Sequence, residues 1–303
     1  MKNAIQYYYG LYPVDIHQTS SGLYEFKENG NNYVLEPFHR SFEELEEIYR
    51  ISNQLIERGI YCHQMVPNMM GKIITVINQV PYILLKLFIT SKEQVTIYDI
   101  LFFSKLVVEN TEKSMLTRNE WKKLWSKKND YLEYQVSQFG KSFPKIRNSF
   151  SYFIGLSEIG IALLNETKIE EPLVISHRRI CSTDTMFDLY NPLNFILDYK
   201  ERDIIEFWKV EVLADTFTLE TFSQFLNTLK LTDSEWILLL ARAFYPTFYF
   251  DSYEDIIEKH AKEELLDAII KSVTKYESFL KLIYEKVRFI HPLPDLWLTK
   301  NIG

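Results

Sequence analysis

Residues 174–208 read VISHRRICSTDTMFDLYNPLNFILDYKERDIIEFW. With Leu173 in front, the stretch opens on an apolar run, Leu173-Val174-Ile175, that ends on Ser176-His177. A polar loop follows, then a second apolar run, Asn194-Phe195-Ile196-Leu197, that ends on Asp198-Tyr199 and turns into a helical pattern from Asp203. This is the pattern of a β-hairpin whose two tips deliver polar side chains to one place.

A hairpin of this kind resembles the one in which protein-kinase-like phosphotransferases hold a catalytic Asp after a His, an Asn five residues later, and a metal-binding Asp at the end of the returning strand. Small-molecule kinases of the aminoglycoside phosphotransferase and choline kinase type read His-Gly-Asp and then Asn. Here the residues are His177-Arg178-Arg179 and then Asp184. By that resemblance Arg179 stands at the base position, and its guanidinium stays protonated and accepts no hydroxyl proton. His177 takes the place of a residue that braces the loop, and Asp198 the place of the magnesium-holding Asp. The set resembles the degenerate site of a pseudokinase. Asp184 and Asp198 are the candidate ligands for a divalent cation, because hard cations take oxygen donors. In the competing reading, Arg179 bridges one of these carboxylates and supplies a fixed cation in place of the metal.

Toward the N-terminus, Leu23-Tyr24-Glu25-Phe26-Lys27 alternates apolar and polar, Glu28-Asn29-Gly30-Asn31 reads as a turn, and Tyr33-Val34-Leu35 resumes the strand. In a kinase-like lobe this hairpin would cover a nucleotide, with Ser20-Ser21-Gly22 as the remnant of a glycine-rich loop. The same resemblance places Glu36 where the third strand normally offers a Lys to phosphate, and a carboxylate there repels phosphate. A register shifted by one residue would instead make Glu36 an ordinary strand-end charge. Ser41 and Glu44 predict a capping box for a helix from Ser41 to Arg58, closed by Gly59. It occupies the αC place of a kinase, and Glu43, Glu44, Glu46 and Glu47 are equal candidates for its acid. Strands over Lys72–Asn78 and Pro81–Phe88 complete an expected five-stranded sheet with one helix.

Past Ile89 the pattern is helical: from Thr96 through Val108, Arg118–Gln138, Arg147–Asn165, and after the hairpin Asp203–Ala214, Leu219–Leu229, Asp233–Ala243, Tyr253–Ser272 and Thr274–Phe289. The expected fold is α+β and two-lobed like a protein kinase, with a small antiparallel-sheet lobe over 1–88 and a mainly helical lobe over 89–303 that contains the hairpin 173–199. The segment Phe244-Tyr245-Pro246-Thr247-Phe248-Tyr249-Phe250 reads as core, with a partner-binding groove as the alternative. Lys122-Lys123-Leu124-Trp125-Ser126-Lys127-Lys128 reads as a solvated helix face beside two buried Trp residues.

Composition removes several functional classes. With 34 basic and 41 acidic residues the formal charge is −7, which lacks the attraction behind non-specific nucleic-acid binding. Cys62 and Cys181 stand alone without a CxxC, and no His pair has the spacing of a helical metal site. No stretch approaches the ~18 apolar residues of a membrane span, and no segment resembles a secretion signal, so a cytoplasmic origin is expected. No G-x-S-x-G, G-x-G-x-x-G or Walker loop occurs.

The hairpin, the N-terminal strand set and Arg202-Asp203-Ile204-Ile205-Glu206-Phe207 together resemble the kinase-like spore coat-associated proteins of endospore-forming bacteria, the CotS and YutH group. That resemblance implies a non-catalytic pseudokinase without cofactor, made in the mother-cell cytoplasm, carried to the spore coat, and acting there through contacts with other spore coat proteins. The rival expectation is an active small-molecule kinase using ATP and magnesium, with Asp184 or Asp188 as a displaced base. A third is a binder of phosphorylated ligands that grips an anion with Arg178 and Arg179.

Overall fold

Alternating apolar and polar residues between Ile16 and Leu87 build a six-stranded antiparallel sheet in the computed structural model, which describes residues 1–293 apart from 61, 109, 110, 112, 166, 215 and 216. The strands are β1 (Ile16–Gln18), β2 (Tyr24–Glu28), β3 (Asn31–Pro37), β4 (Gln64–Val66), β5 (Ile74–Ile77) and β6 (Val80–Leu87). Their order is β1-β2-β3-β6-β4, with β5 also paired to β6. The β2–β3 turn places Asn29 at φ 49° and Gly30 at φ 75°, the positive pair that a tight hairpin turn demands.

Helix α1 (Lys2–Tyr9) covers one face of this sheet, packing Ile5 against Phe26, Tyr33, Leu35, Ile77 and Leu84. The sheet begins at Ile16, and the expected five strands and one helix become, among the described residues, six strands and two helices. Burial of Ile5 outweighs the strand preference of three consecutive tyrosines. Gly10 closes α1 at φ 64°, its N–H donating to the Gln6 carbonyl at 3.0 Å. Strand alternation sends Val34 and Glu36 to the opposite face from Tyr33 and Leu35. Helix α2 (Phe42–Glu57) starts with the expected capping box: Glu44 N–H donates to Ser41 Oγ at 3.2 Å, and Ser41 N–H to Glu44 Oε2 at 3.4 Å.

The remaining helices are α3 (Ile97–Phe103), α4 (Trp121–Phe139), α5 (Pro144–Asn165), the short α6 (Met186–Leu189), α7 (Glu201–Leu213), α8 (Leu219–Thr228), α9 (Asp233–Phe244), α10 (Thr247–Ile257), α11 (Leu265–Lys271) and α12 (Val273–Val287). The single helix expected over Tyr253–Ser272 is two, broken after Ile257, where Lys259 takes φ 65°. The helix expected to reach Val108 stops at Phe103. Gly160 lets α5 press on α9, since a Cβ there would lie 2.8 Å from the Ala241 carbonyl oxygen. Phe244, Tyr249 and Phe250 are 0–2% exposed, and Tyr245 stacks on Trp125 with centroids 4.3 Å apart. These residues are core, and the partner-binding groove considered for them is ruled out.

Strands β7 (Val174–His177) and β8 (Phe195–Asp198) form a separate two-stranded sheet with every residue buried. The chain divides into a first unit, Met1–Thr96 with Asn110–Thr117 and His177–Leu197, and a second, Ile97–Glu109 with Arg118–Ser176 and Asp198–Gly303. This differs from a single boundary near Ile89 with all of 173–199 on the helical side. The loop His177–Leu197 joins the sheet unit through Val95 N–H to Asp184 O at 2.9 Å, Met186 N–H to Glu93 O at 3.0 Å and His63 N–H to Tyr190 O at 3.0 Å. No helix among the described residues is long and apolar enough to cross a membrane.

Candidate active-site region

Glu36 sits on β3, on the same face as Val34, and its Oε2 accepts a hydrogen bond from Asn191 Nδ2 at 2.8 Å. Asn191 is fixed in turn, because its Oδ1 accepts from Leu193 N–H at 3.0 Å. Burial pushes the Glu36 carboxyl up to about 7; the Asn191 bond opposes this and the nearby Asp188 adds to it. Near neutral pH the group is therefore an acid close to the midpoint between its two protonation states.

The loop around Asn191 is held to the sheet unit by several such bonds. Arg40 Nη1 donates to the Leu193 and Phe195 carbonyls at 3.0 and 2.7 Å, while its other nitrogens reach Glu44 at 3.2 Å. Glu44, one of four candidate αC acids, thus pairs with Arg40. His63 is fully buried, stacks on Phe187 at 5.0 Å and bonds through Nε2 to the Phe187 carbonyl at 3.1 Å. Burial depresses its pKa to about 4, so the ring is neutral at ordinary pH.

His177 is fully buried and bonds through Nε2 to the Leu189 carbonyl at 2.8 Å, a bracing contact inside the loop. Arg178 and Arg179 are exposed. Asp184 Oδ2 accepts from Cys181 N–H at 2.7 Å, which closes a local turn, and burial raises its pKa. Gly22 lies in the β1–β2 turn at φ 83°, with nothing within 4 Å of the position of a Cβ. The same unit carries a cleft of about 1110 Å³ bordered by Ile16, Phe26, Val34, Leu87, Ser91 and Phe187.

Asp198 belongs to the second unit and is fully buried there. Its Oδ1 accepts from Trp121 Nε1 at 2.9 Å and from Tyr199 N–H at 2.8 Å, and its Oδ2 pairs with Arg202 Nη1 at 2.9 Å. The cation on Asp198 is thus Arg202, one helical turn past the acid. Desolvation still raises the Asp198 pKa, against the pull of Arg202 and Arg242. Behind it, Glu206 takes Lys209 Nζ at 2.9 Å, Arg242 Nε at 2.7 Å and Thr247 Oγ1 at 2.6 Å. Burial works to raise the Glu206 pKa, but its two cationic partners win and hold it well below the carboxylate range. Arg242 also lies over the Trp121 and Trp125 rings at 5.3 and 5.6 Å.

Sequence reasoning missed Asn191, Arg40, Arg202 and Trp121. Of these only Arg202 carried a local signal, its spacing of four residues from Asp198 at the start of α7.

Solved structures share this architecture. An aminoglycoside phosphotransferase from Alicyclobacillus acidocaldarius matches with a TM-score of 0.66 at 12% identity, over 95% of this chain and 97% of that one. Amicoumacin kinase hAmiN, solved with AMP-PNP, Ca²⁺ and Ami, matches at 0.56 and 12% identity, over 94% and 92%. At such identities the likeness establishes the fold, that of the aminoglycoside phosphotransferase-like kinases. In sequence, the endospore coat-associated protein YutH of Bacillus subtilis (strain 168) is 28% identical over 192 residues, 55% of this chain. The match spans 56% of that relative's length. A family model described as spore coat putative kinase YutH fits residues 2–283, and the chain belongs to that family.

Proposed function

We propose that the chain is a non-catalytic, kinase-like component of the spore coat, made in the mother-cell cytoplasm and working through contacts with other coat proteins. The observation that carries this reading is the enclosure of Asp198: the carboxylate that resembles a metal-holding Asp spends both oxygens on Trp121, Tyr199 and Arg202. A guanidinium on Oδ2 already supplies the charge that a divalent cation would bring. Glu36 adds a carboxyl where phosphate needs a cation. The residues present therefore do not fit magnesium nucleotide in the way that kinases hold it, and no transfer step is derived from them.

The rival, an active kinase with a displaced base, needs a carboxylate free to accept a substrate proton. Asp188 Oδ2 is spent on Thr185 N–H and Oγ1 at 2.9 and 2.8 Å, and Asp184 Oδ2 on Cys181 N–H.

The test is melting of the full chain with and without millimolar magnesium-ATP, alongside a phosphate-transfer assay on a panel of amino-sugar alcohols. A ligand at 100 times its dissociation constant adds about 2.7 kcal/mol, which melting detects readily. No shift and no transfer are expected. A clear shift or turnover overturns the reading.

A further inference from the structure

The proposed role does not say which surface makes the contacts, and the solvent face of the long helix α4 offers one whose composition is unusual. Its buried side is Trp121, Trp125, Asn129 and Leu132. Helical periodicity places Lys123, Leu124, Lys127, Tyr131 and Tyr134 in a single stripe on the other side. Leu124, Tyr131 and Tyr134 are 46%, 48% and 66% exposed, large apolar groups that a merely solvated face has no need to carry. Lys127 makes no ion pair among the described residues, and Lys123 meets only the equally exposed Glu120. Neighbouring Lys128 is held down by Glu254 and lies over the Tyr131 ring at 5.8 Å, which orders the aromatic end of the stripe.

A surface of opposite sign, also built around an exposed aromatic, occurs at the start of α2. Phe42 is 63% exposed there, beside exposed Glu43 and Glu46. Neither carboxylate makes an ion pair among the described residues. The two acids stand three residues apart on one helix and the two lysines four apart on the other, so each pair spans about one helical turn. Laid against each other, Phe42 meets the Leu124–Tyr131 side chains while the charges pair on either side.

We infer that the α4 stripe docks on the first turns of α2 of a second copy of this chain. The surfaces are unlike, so every bound pair still presents one of each. Copies then add head to tail, which yields rings or open filaments in place of a closed two-fold dimer. The net charge of −7 repels whole copies, but at physiological salt the screening length is about 8 Å. Repulsion between distant charges is thus screened, while the contact pairs persist.

Sedimentation velocity of the full chain, from micromolar to hundred-micromolar concentration, reads the association directly. In about 150 mM salt the average mass should climb with concentration, and in about 500 mM salt it should fall back. Lys123→Glu with Lys127→Glu, and separately Glu43→Lys with Glu46→Lys, should each give a monomer with unchanged helical circular dichroism. An equimolar mixture of the two variants offers two matched pairs of surfaces, wild-type acids on wild-type lysines and reversed on reversed, so growth should resume with the variants alternating, and all four substitutions in one chain should restore it as well. A wild-type chain that stays monomeric throughout overturns the inference. So does association that ignores salt and charge reversal, or a variant mixture that fails to pair. The wild-type concentration and salt series needs no variant, so a misfolded variant leaves the inference exposed to refutation.

Discussion

Replacing Glu36 by Gln should make the protein more stable in mild alkali and leave it unchanged in acid. In the folded chain the carboxyl titrates at about 7, against 4.5 for an ordinary Glu. The folded state therefore holds its proton more tightly than the unfolded state does. Stability contributed by this group is fully present below the unfolded value, falls as pH rises through the interval, and is lost above about 7. At about 1.36 kcal/mol per unit, the full interval corresponds to about 3 kcal/mol. Solvent reaches part of the Glu36 side chain, which trims the effect to about 2 kcal/mol. Glutamine keeps an oxygen for Asn191 Nδ2 and carries no charge, so Glu36→Gln removes the alkaline loss without removing the bond. Urea denaturation of both proteins at about pH 4.5 and about pH 8 gives the comparison. Glu201, raised to about 8 by burial, titrates in both proteins and cancels in the difference. Equal stability of the two proteins at about pH 8, or a Gln variant weaker there, would refute the account of Glu36 as a desolvated acid without a cation.

Asp198→Asn should cost about 3 kcal/mol in urea unfolding, because it strands Arg202 beside a buried amide. Arg179→Ala, at an exposed position, should cost under about 1 kcal/mol; the reverse order of the two losses would return the bridge to Arg179. Glu206→Ala should be the most damaging charge deletion, about 3–5 kcal/mol, since it leaves Lys209 and Arg242 without their anion, and failure to express as soluble protein counts as agreement. Gly160→Ala should lose about 1–3 kcal/mol by thermal melting through its clash with the Ala241 carbonyl, and an unchanged melting temperature would mean that α5 and α9 are not tightly packed there.

Local chemistry was readable wherever it was self-contained. Ser41 and Glu44 declared the start of α2, and the apolar runs ending at His177 and Asp198 declared β7 and β8. The α10–α11 break was not readable, since Lys259 turns the chain with positive φ where neither Gly nor Pro gives notice. Helix α1 was hidden by its tyrosines, whose strand preference is outweighed only by packing of Ile5 on a sheet not yet formed in the reading. That Glu36 lies on the third strand of the sheet was legible, but its partner was not. Asn191 lies 155 residues away, and nothing in either neighbourhood points to the other. The cation on Asp198 had one local signal, the spacing of four residues between Asp198 and Arg202 at the start of α7.

The stitching of His177–Leu197 into the sheet unit has a consequence for how the chain is made. That unit is discontinuous in sequence, so it lacks one of its walls until about one hundred residues beyond Thr96 have been synthesised. At the usual ~5–20 residues per second, the delay is roughly 5–20 seconds. During that interval Arg40 has neither the Leu193 nor the Phe195 carbonyl to hold, Glu36 has no Asn191, and His63 has no Phe187 to stack on. The nascent sheet must therefore wait, incompletely covered, for a loop that emerges from the ribosome only after α5.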